Sequence, residues 1–444
     1  MAAKHEYNKL SLVHLPRYVI HFIDYQKLAE LRKEVHSEKR IPSILTRTIA
    51  VLFVFALLAL VSIGSEGVPQ LRNSRDLTKS PCKKRVVGYY SEWEGTEITR
   101  SQLGKLTHAV FAFIHMDSEG KLQFKTNQKE RFEKLKTAVK NANSDTKVMI
   151  SIGGDHNSEN FGSVLSDSEK KSMFIDSIAR FIRQHKIHGV DIYWKWLGNS
   201  ETEHHDFPSF LKDLKEKLKT VRDDSIISIV APQAKMDRRH DGYKFDDFME
   251  YIDFVNVFSM DYYGPWPNQW GTPTGPSAPL YGGIGVKKHF NVDSTMKYYT
   301  CMTEDPSKFN MVIPFYVRLW KNVKEPISSG TEVFRRADLK NGAAVGNSYM
   351  SRWTVDHEGW ELTPALWDDV TKTPYVWNQE TGNFLTFENK KSIEAKLAYA
   401  IEHNLGGVWI HLVDKDNENE ELLRAVASKK FCASESENKV TYDC

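Results

Sequence analysis

The chain of 444 residues has little cysteine, no glycosylation sequon and almost no net charge. Its four cysteines are Cys82, Cys301, Cys432 and Cys444. None forms a C-x-x-C pair, which argues against a zinc site. A small even number fits one or two disulfides if the domain lies outside the cytosol, with three connectivities open. The absence of an N-x-[ST] sequon removes glycosylation as a sign of export. The formal net charge is only +2, and no acidic or basic block dominates. Nucleic acid is therefore excluded as the expected partner.

Long apolar runs are also missing, with one exception. Residues 48–64 carry no charge. About 17 residues is the lower limit for a helix that crosses a bilayer. Arg47, with Lys39 and Arg40 upstream, favours a cytosolic N-terminus. A cleaved signal peptide needs a shorter basic start, although Ser62 and Gly64 resemble a cleavage site. The expectation is a type II single-pass protein: residues 1–47 a cytosolic tail, 48–64 a signal-anchor helix, and 65–82 a stalk. The large domain is then luminal or extracellular, or secreted if the segment is cleaved. Residues 429–444 form a C-terminal tail.

From Arg85 onward, short apolar runs alternate with longer amphipathic ones. The runs are Val86–Tyr90, His108–Ile114, Val148–Ile152, Gly189–Trp194, Ile226–Ala231, Phe254–Met260, Met311–Val317 and Gly407–Leu412. They are β-branched, aromatic and nearly continuous, as strands buried on both faces should be. Helical stripes lie between them at Lys129–Asn141, Glu169–His185, Asp206–Val221 and Ser392–Asn404. Eight such strands predict an α/β fold, a (β/α)8 TIM barrel over residues 83–428. About 90 residues separate the last two runs, too many for one helix. A small α+β insertion is expected there, roughly 320–387. In such barrels the site lies at the C-terminal ends of the strands.

Four of these runs carry recognisable motifs. Gly88-Tyr89-Tyr90-Ser91-Glu92-Trp93, Ser151-Ile152-Gly153-Gly154, Pro314-Phe315-Tyr316 with Arg318, and Gly406-Gly407-Val408-Trp409-Ile410-His411 occur in order at barrel spacing. Together they resemble the chitinases of glycoside hydrolase family 18, over about residues 84–427. The family's fourth strand reads D-G-x-D-x-D-W-E. Here it reads His188-Gly189-Val190-Asp191-Ile192-Tyr193-Trp194-Lys195. The resemblance implies that Tyr193 stands where an aspartate orients the substrate's acetamido group. It also implies that Lys195 stands where a glutamate is the general acid.

That replacement matters chemically. The glycosidic oxygen must receive a proton as its bond breaks, and a positioned acid is worth about 10²–10⁴-fold in rate. In this family the nucleophile is the substrate's own acetamido oxygen. An ammonium, with a reference pKa of about 10.4, is too weak an acid. Buried and neutral, it has no useful proton to give. Asp155 stands where the family usually has a groove tryptophan, and His411 where it has the floor under the cleaved sugar.

The resemblance therefore implies a pseudo-chitinase with no catalytic residue and with degenerate positions His188, Asp191, Tyr193 and Lys195. Tyr89, Trp93, Phe113, Asp261, Tyr316, Arg318 and His411 remain as ligand-binding candidates. Lys195 is expected either to pair with Asp191 or Asp261 or to reach solvent. His188 and His411 have no third ligand at convincing spacing, so no metal or other cofactor is expected. The implied partner is chitin or an N-acetylglucosamine oligomer, bound without hydrolysis. Alternatives are a structural or protein-binding barrel without sugar affinity and, less favoured, residual hydrolysis. The span and Lys195 together resemble the membrane-anchored chitinase-like proteins of nematodes.

Overall fold

A computed structural model describes residues 82–434, apart from 95, 143, 199, 237 and 304. Seven parallel strands come first: β1 (Arg85–Ser91), β2 (His108–Met116), β3 (Lys147–Gly153), β4 (Gly189–Tyr193), β5 (Ile226–Ala231), β6 (Phe254–Val257) and β7 (Phe309–Pro314). The eighth, β15 (Gly407–His411), pairs with both β7 and β1, and β1 pairs with β2. The sheet therefore closes on itself. Each of the eight expected runs contributes a barrel strand, because burial on both faces selects a continuous apolar run, although Phe254–Met260 is strand only to Val257. In β4, all five residues are buried.

Helices α1 (Gln128–Ala142), α2 (Ser168–His185), α3 (Glu201–Lys219), α4 (Val292–Thr300) and α6 (Lys390–Glu402) cover the outside. The start of α2 shows the local chemistry. Asp167 accepts from the backbone N–H groups of Glu169 and Lys170 at 2.9 and 3.1 Å, satisfying two otherwise unpaired donors. The crossing from β5 to β6 has no α-helix; three short 3₁₀ turns replace it. Tyr243, Phe245 and Phe248 plug the barrel wall there, each 1% exposed.

The insertion begins earlier than expected, at Val317. The run Met311–Val317 is split: β7 stops at Pro314, and β8 (Val317–Trp320) joins a different sheet. Alternation explains the split. Val317 and Leu319 enter a small separate core with Val355, Leu385 and Phe387, while Trp320 packs with the main core and Arg318 reaches Asp261. Strand β9 (Val323–Pro326) pairs with β10 (Arg335–Ala337). Strands β11 (Gly346–Met350), β12 (Leu366–Asp368), β13 (Thr373–Asn378) and β14 (Asn383–Thr386) complete a five-stranded antiparallel sheet in the order β11-β8-β14-β13-β12. Helix α5 (Arg352–His357) accompanies it.

A disulfide joins Cys82 to Cys432, 350 residues apart in sequence. Cys301 is disulfide-bonded as well. Among the described residues, no helix is long and apolar enough to cross a membrane. Residues 1–81, including the expected anchor at 48–64, lie outside the described residues, as does the expected tail from 435 onward; its first part is no tail, since Lys429–Ala433 is a helix with Phe431 buried and Cys432 bridged.

Candidate active site

Two carboxylates organise the C-terminal mouth of the barrel at different depths. Asp191, on β4, is fully buried. It accepts hydrogen bonds from Ser151 Oγ at 2.7 Å, Ser228 Oγ at 2.6 Å, Asn256 Nδ2 at 3.1 Å and the Tyr89 hydroxyl. The network continues through Asn310, which donates to Asn256 Oδ1 at 3.0 Å and accepts from Arg85 Nε at 2.9 Å. Burial raises the Asp191 pKa, and the four donors only partly offset that. Tyr89 is thus a partner of Asp191 in the barrel interior, fully buried with it.

Asp261 lies nearer the surface, with a backbone φ of 60° and its side chain 28% exposed. It accepts from Arg318 Nη2, from the Tyr316 hydroxyl, and from Ser277 Oγ at 3.1 Å. Burial pushes its pKa up, but Arg318 and Tyr316 pull harder, leaving it below the usual carboxylate value. Arg318 also donates to the Ser348 carbonyl at 2.8 Å and lies 4.4 Å from the Trp266 ring. Asp261 is therefore an ionised acceptor and a poor proton donor at neutral pH.

Lys195 bonds with neither of these aspartates. Its ammonium pairs with Asp155 at 3.2 Å, the two side chains being 23% and 67% exposed. The expected pairing with Asp191 or Asp261 is corrected. Asp191 already has four donors, and Asp261 already holds Arg318, so Lys195 turns outward to the end of β3. Its Nζ lies 5.8 Å from the Phe258 ring and 6.0 Å from the Trp196 ring.

Tyr193 is 2% exposed. Its ring packs against Phe113, Trp196, Phe258 and Trp409 at centroid distances of 5.7, 5.6, 6.4 and 6.3 Å. The phenol occupies the centre of the mouth as packing. Phe113 in turn lies over Gly154, whose φ is 83°; a Cβ there would meet the ring at 2.6 Å. Trp93 is the exposed aromatic of this set, 49% exposed, and stacks on Phe113 at 6.2 Å.

His411 lies beside the Tyr349 hydroxyl at 3.4 Å, and burial lowers its pKa to about 4. His188 lies at the opposite end of β4, away from the mouth. Its Nδ1 accepts the Val148 N–H at 3.0 Å, and burial lowers its pKa to about 4. Sequence reading missed Trp196 and Tyr349. Trp196 directly follows Lys195 and was open to inference. Tyr349 comes from the insertion, packs on Tyr316 at 4.6 Å and has no local signature. Among the described residues no group of His, Cys, Asp and Glu could hold a metal ion.

The histidines give an acid-side prediction. His188 and His411 titrate near 4 in the fold and His108 near 3, against about 6.5 when unfolded. Between those values the unfolded chain binds more protons. Stability is therefore full above about pH 6.5 and is lost as pH falls toward 4. Thermal melts should show the midpoint dropping across this window, with a smaller drop in His188→Gln. Equal slopes in the two proteins would contradict the assignment.

The family model for glycosyl hydrolases family 18 matches residues 85–416. The chain belongs to this family. It is a chitinase-like protein, 24% identical to probable chitinase 2 of Drosophila melanogaster over 75% of this chain and 72% of the relative. It is 23% identical to human chitinase-3-like protein 2, over 75% and 87% respectively. The fold matches a class V chitinase of Nicotiana tobaccum solved in complex with NAG4, with a TM-score of 0.68 and 18% identity. That match covers 79% of this chain and 99% of the other.

Proposed function

We propose that the protein binds chitin or N-acetylglucosamine oligomers without hydrolysing them. One observation carries this reading: the end of β4 presents the Lys195 ammonium, held in an ion pair by Asp155, where the family resemblance puts the general acid. Two other carboxylates of the mouth, Asp191 and Asp261, are poor substitutes. Asp191 is enclosed by four donors, and Asp261 is held ionised by Arg318. Tyr193 fills the position from which an aspartate would orient the acetamido group. Trp93 remains as an exposed stacking surface, and relatives solved with allosamidin and NAG4 support the ligand class. The reading also puts the barrel outside the cytosol, anchored through 48–64 or released by cleavage there. The Cys82–Cys432 disulfide supports that, because disulfides persist in oxidising compartments.

The test uses insoluble chitin and soluble N-acetylglucosamine oligomers, with a hydrolysis assay on the same sample. Saturable binding without product is expected, and Trp93→Ala should weaken it roughly tenfold, the loss of one sugar–aromatic stack. Clear turnover by the native protein would show that the acid has been placed at the wrong residue. A second reading, a protein-binding barrel with no sugar affinity, is favoured by the burial of Tyr89, Phe113, Tyr193 and Tyr316. Absence of any oligomer binding would favour it.

A further inference from the structure

The insertion carries a second cleft, lined by residues of its own strands and turns. It has a volume of about 630 Å³. This is within the roughly 300–1,000 Å³ of small-ligand sites. It opens between β9 and the turn that joins β13 to β14. Arg318, at the mouth, and Asn322, where the cleft begins, are four residues apart; the strand ends at Trp320, and the chain bends at Lys321 and Asn322, whose φ is 59°. At about 3.3 Å per residue for extended chain, the near edge of the cleft is at most about 13 Å from Arg318.

One wall is a flat, fixed surface. The Arg335 guanidinium lies 4.5 Å from the centre of the partly exposed Trp377 ring. Arg335 is itself immobilised. It donates to the Glu332 carbonyl at 3.0 Å, to the Lys324 carbonyl at 3.1 Å and to Glu332 Oε2 at 2.5 Å, with its side chain 9% exposed.

The remaining wall is polar, and its charges are mostly compensated. Lys324 pairs with Asp338 at 3.5 Å, and Glu325 with Arg336 at 3.7 Å. Glu380, which also lines the cleft, has no ion-pair partner among the described residues. Compensated charge disfavours a phosphate or a polycation. An aromatic wall with a free carboxylate and the Gln379 amide beside it suits a ligand with an apolar ring face and hydroxyl donors around its rim.

We propose that this cleft is a second binding site for a neutral saccharide, distinct from the barrel groove. The C–H face of a sugar ring packs against the wall that Trp377 and Arg335 form together, and its hydroxyls donate to Glu380 and Gln379. The choice of probe rests on the proposed glycan-binding function; the existence of the cleft does not.

The experiment titrates N-acetylglucosamine tetramer into the full-length protein, with the Cys82–Cys432 bridge intact, by calorimetry. Native protein, Trp93→Ala, Trp377→Ala and Glu380→Gln are compared. Two sites per chain are expected in the native protein. Trp93→Ala should retain the distal one. Trp377→Ala should lose it, and Glu380→Gln, an exposed change that leaves packing intact, should weaken it at least about tenfold, as loss of a charged hydrogen bond does. One site per chain, weakened about tenfold in Trp93→Ala and untouched in the other two, would overturn this proposal and leave the groove reading standing. Binding that survives Trp93→Ala but not Glu380→Gln would support the distal site even if the groove binds nothing. No binding by any of the four would overturn both.

Discussion

Asp191→Ala is expected to destabilise the barrel by about 3–5 kcal/mol and to leave oligomer affinity unchanged in whatever fraction remains folded. Four donors converge on that carboxylate: Tyr89, Ser151, Ser228 and Asn256. Each buried donor left without an acceptor costs about 1–3 kcal/mol. Tyr89 and Ser151, 3.3 Å apart, can partly satisfy one another, which keeps the total below the simple sum. Against a typical stability of about 5–15 kcal/mol this is a large fraction. Denaturant melts of native and variant protein measure it. The functional content lies in the contrast. If Asp191 served a ligand, the variant would melt normally and bind poorly, and that result would remove it from the structural network.

Lys396→Met should cost a similar amount for a different reason. Lys396, on α6, is fully buried and pairs with Glu388, itself 3% exposed. Burial lowers the lysine pKa, and the carboxylate offsets this only in part. Removing one member of a buried pair strands the other charge, at about 3–5 kcal/mol. Replacing both, as Lys396→Met with Glu388→Leu, is expected to be near neutral or stabilising. The residual cost comes from Ser392 Oγ, which donates to Glu388 at 2.7 Å. A single variant within about 0.5 kcal/mol of native would mean that water reaches the pair.

These two sites also show what the chain makes legible. The barrel strands are readable because burial on both faces leaves a local mark, an unbroken β-branched run. The helix α6 is readable from Ile393, Leu397 and Ala400, which share a stripe. That Lys396 lies on the same buried stripe is not readable, because its partner is eight residues upstream, before the helix begins. The mouth follows the same rule. Lys195 is visible as a departure from a motif, but its partner Asp155 sits at the end of another strand, and only closure of the sheet brings them within 3.2 Å. Tyr349 comes from an insertion whose register against β8 nothing in its own residues announces. The missing helix between β5 and β6 is a similar case, since aromatic packing by Tyr243, Phe245 and Phe248 replaces helical periodicity there.

The Cys82–Cys432 bridge has a mechanical consequence. It joins residues 350 apart in sequence whose Cα atoms are 3.9 Å apart, so the barrel is enclosed in one covalently closed loop. Tension applied across Cys82 and Cys432 runs through two sulfur atoms. It does not pass through the hydrogen bonds between β1 and β15. A load applied across Cys82 and Cys432 would reach the strands between them only once the bridge was reduced.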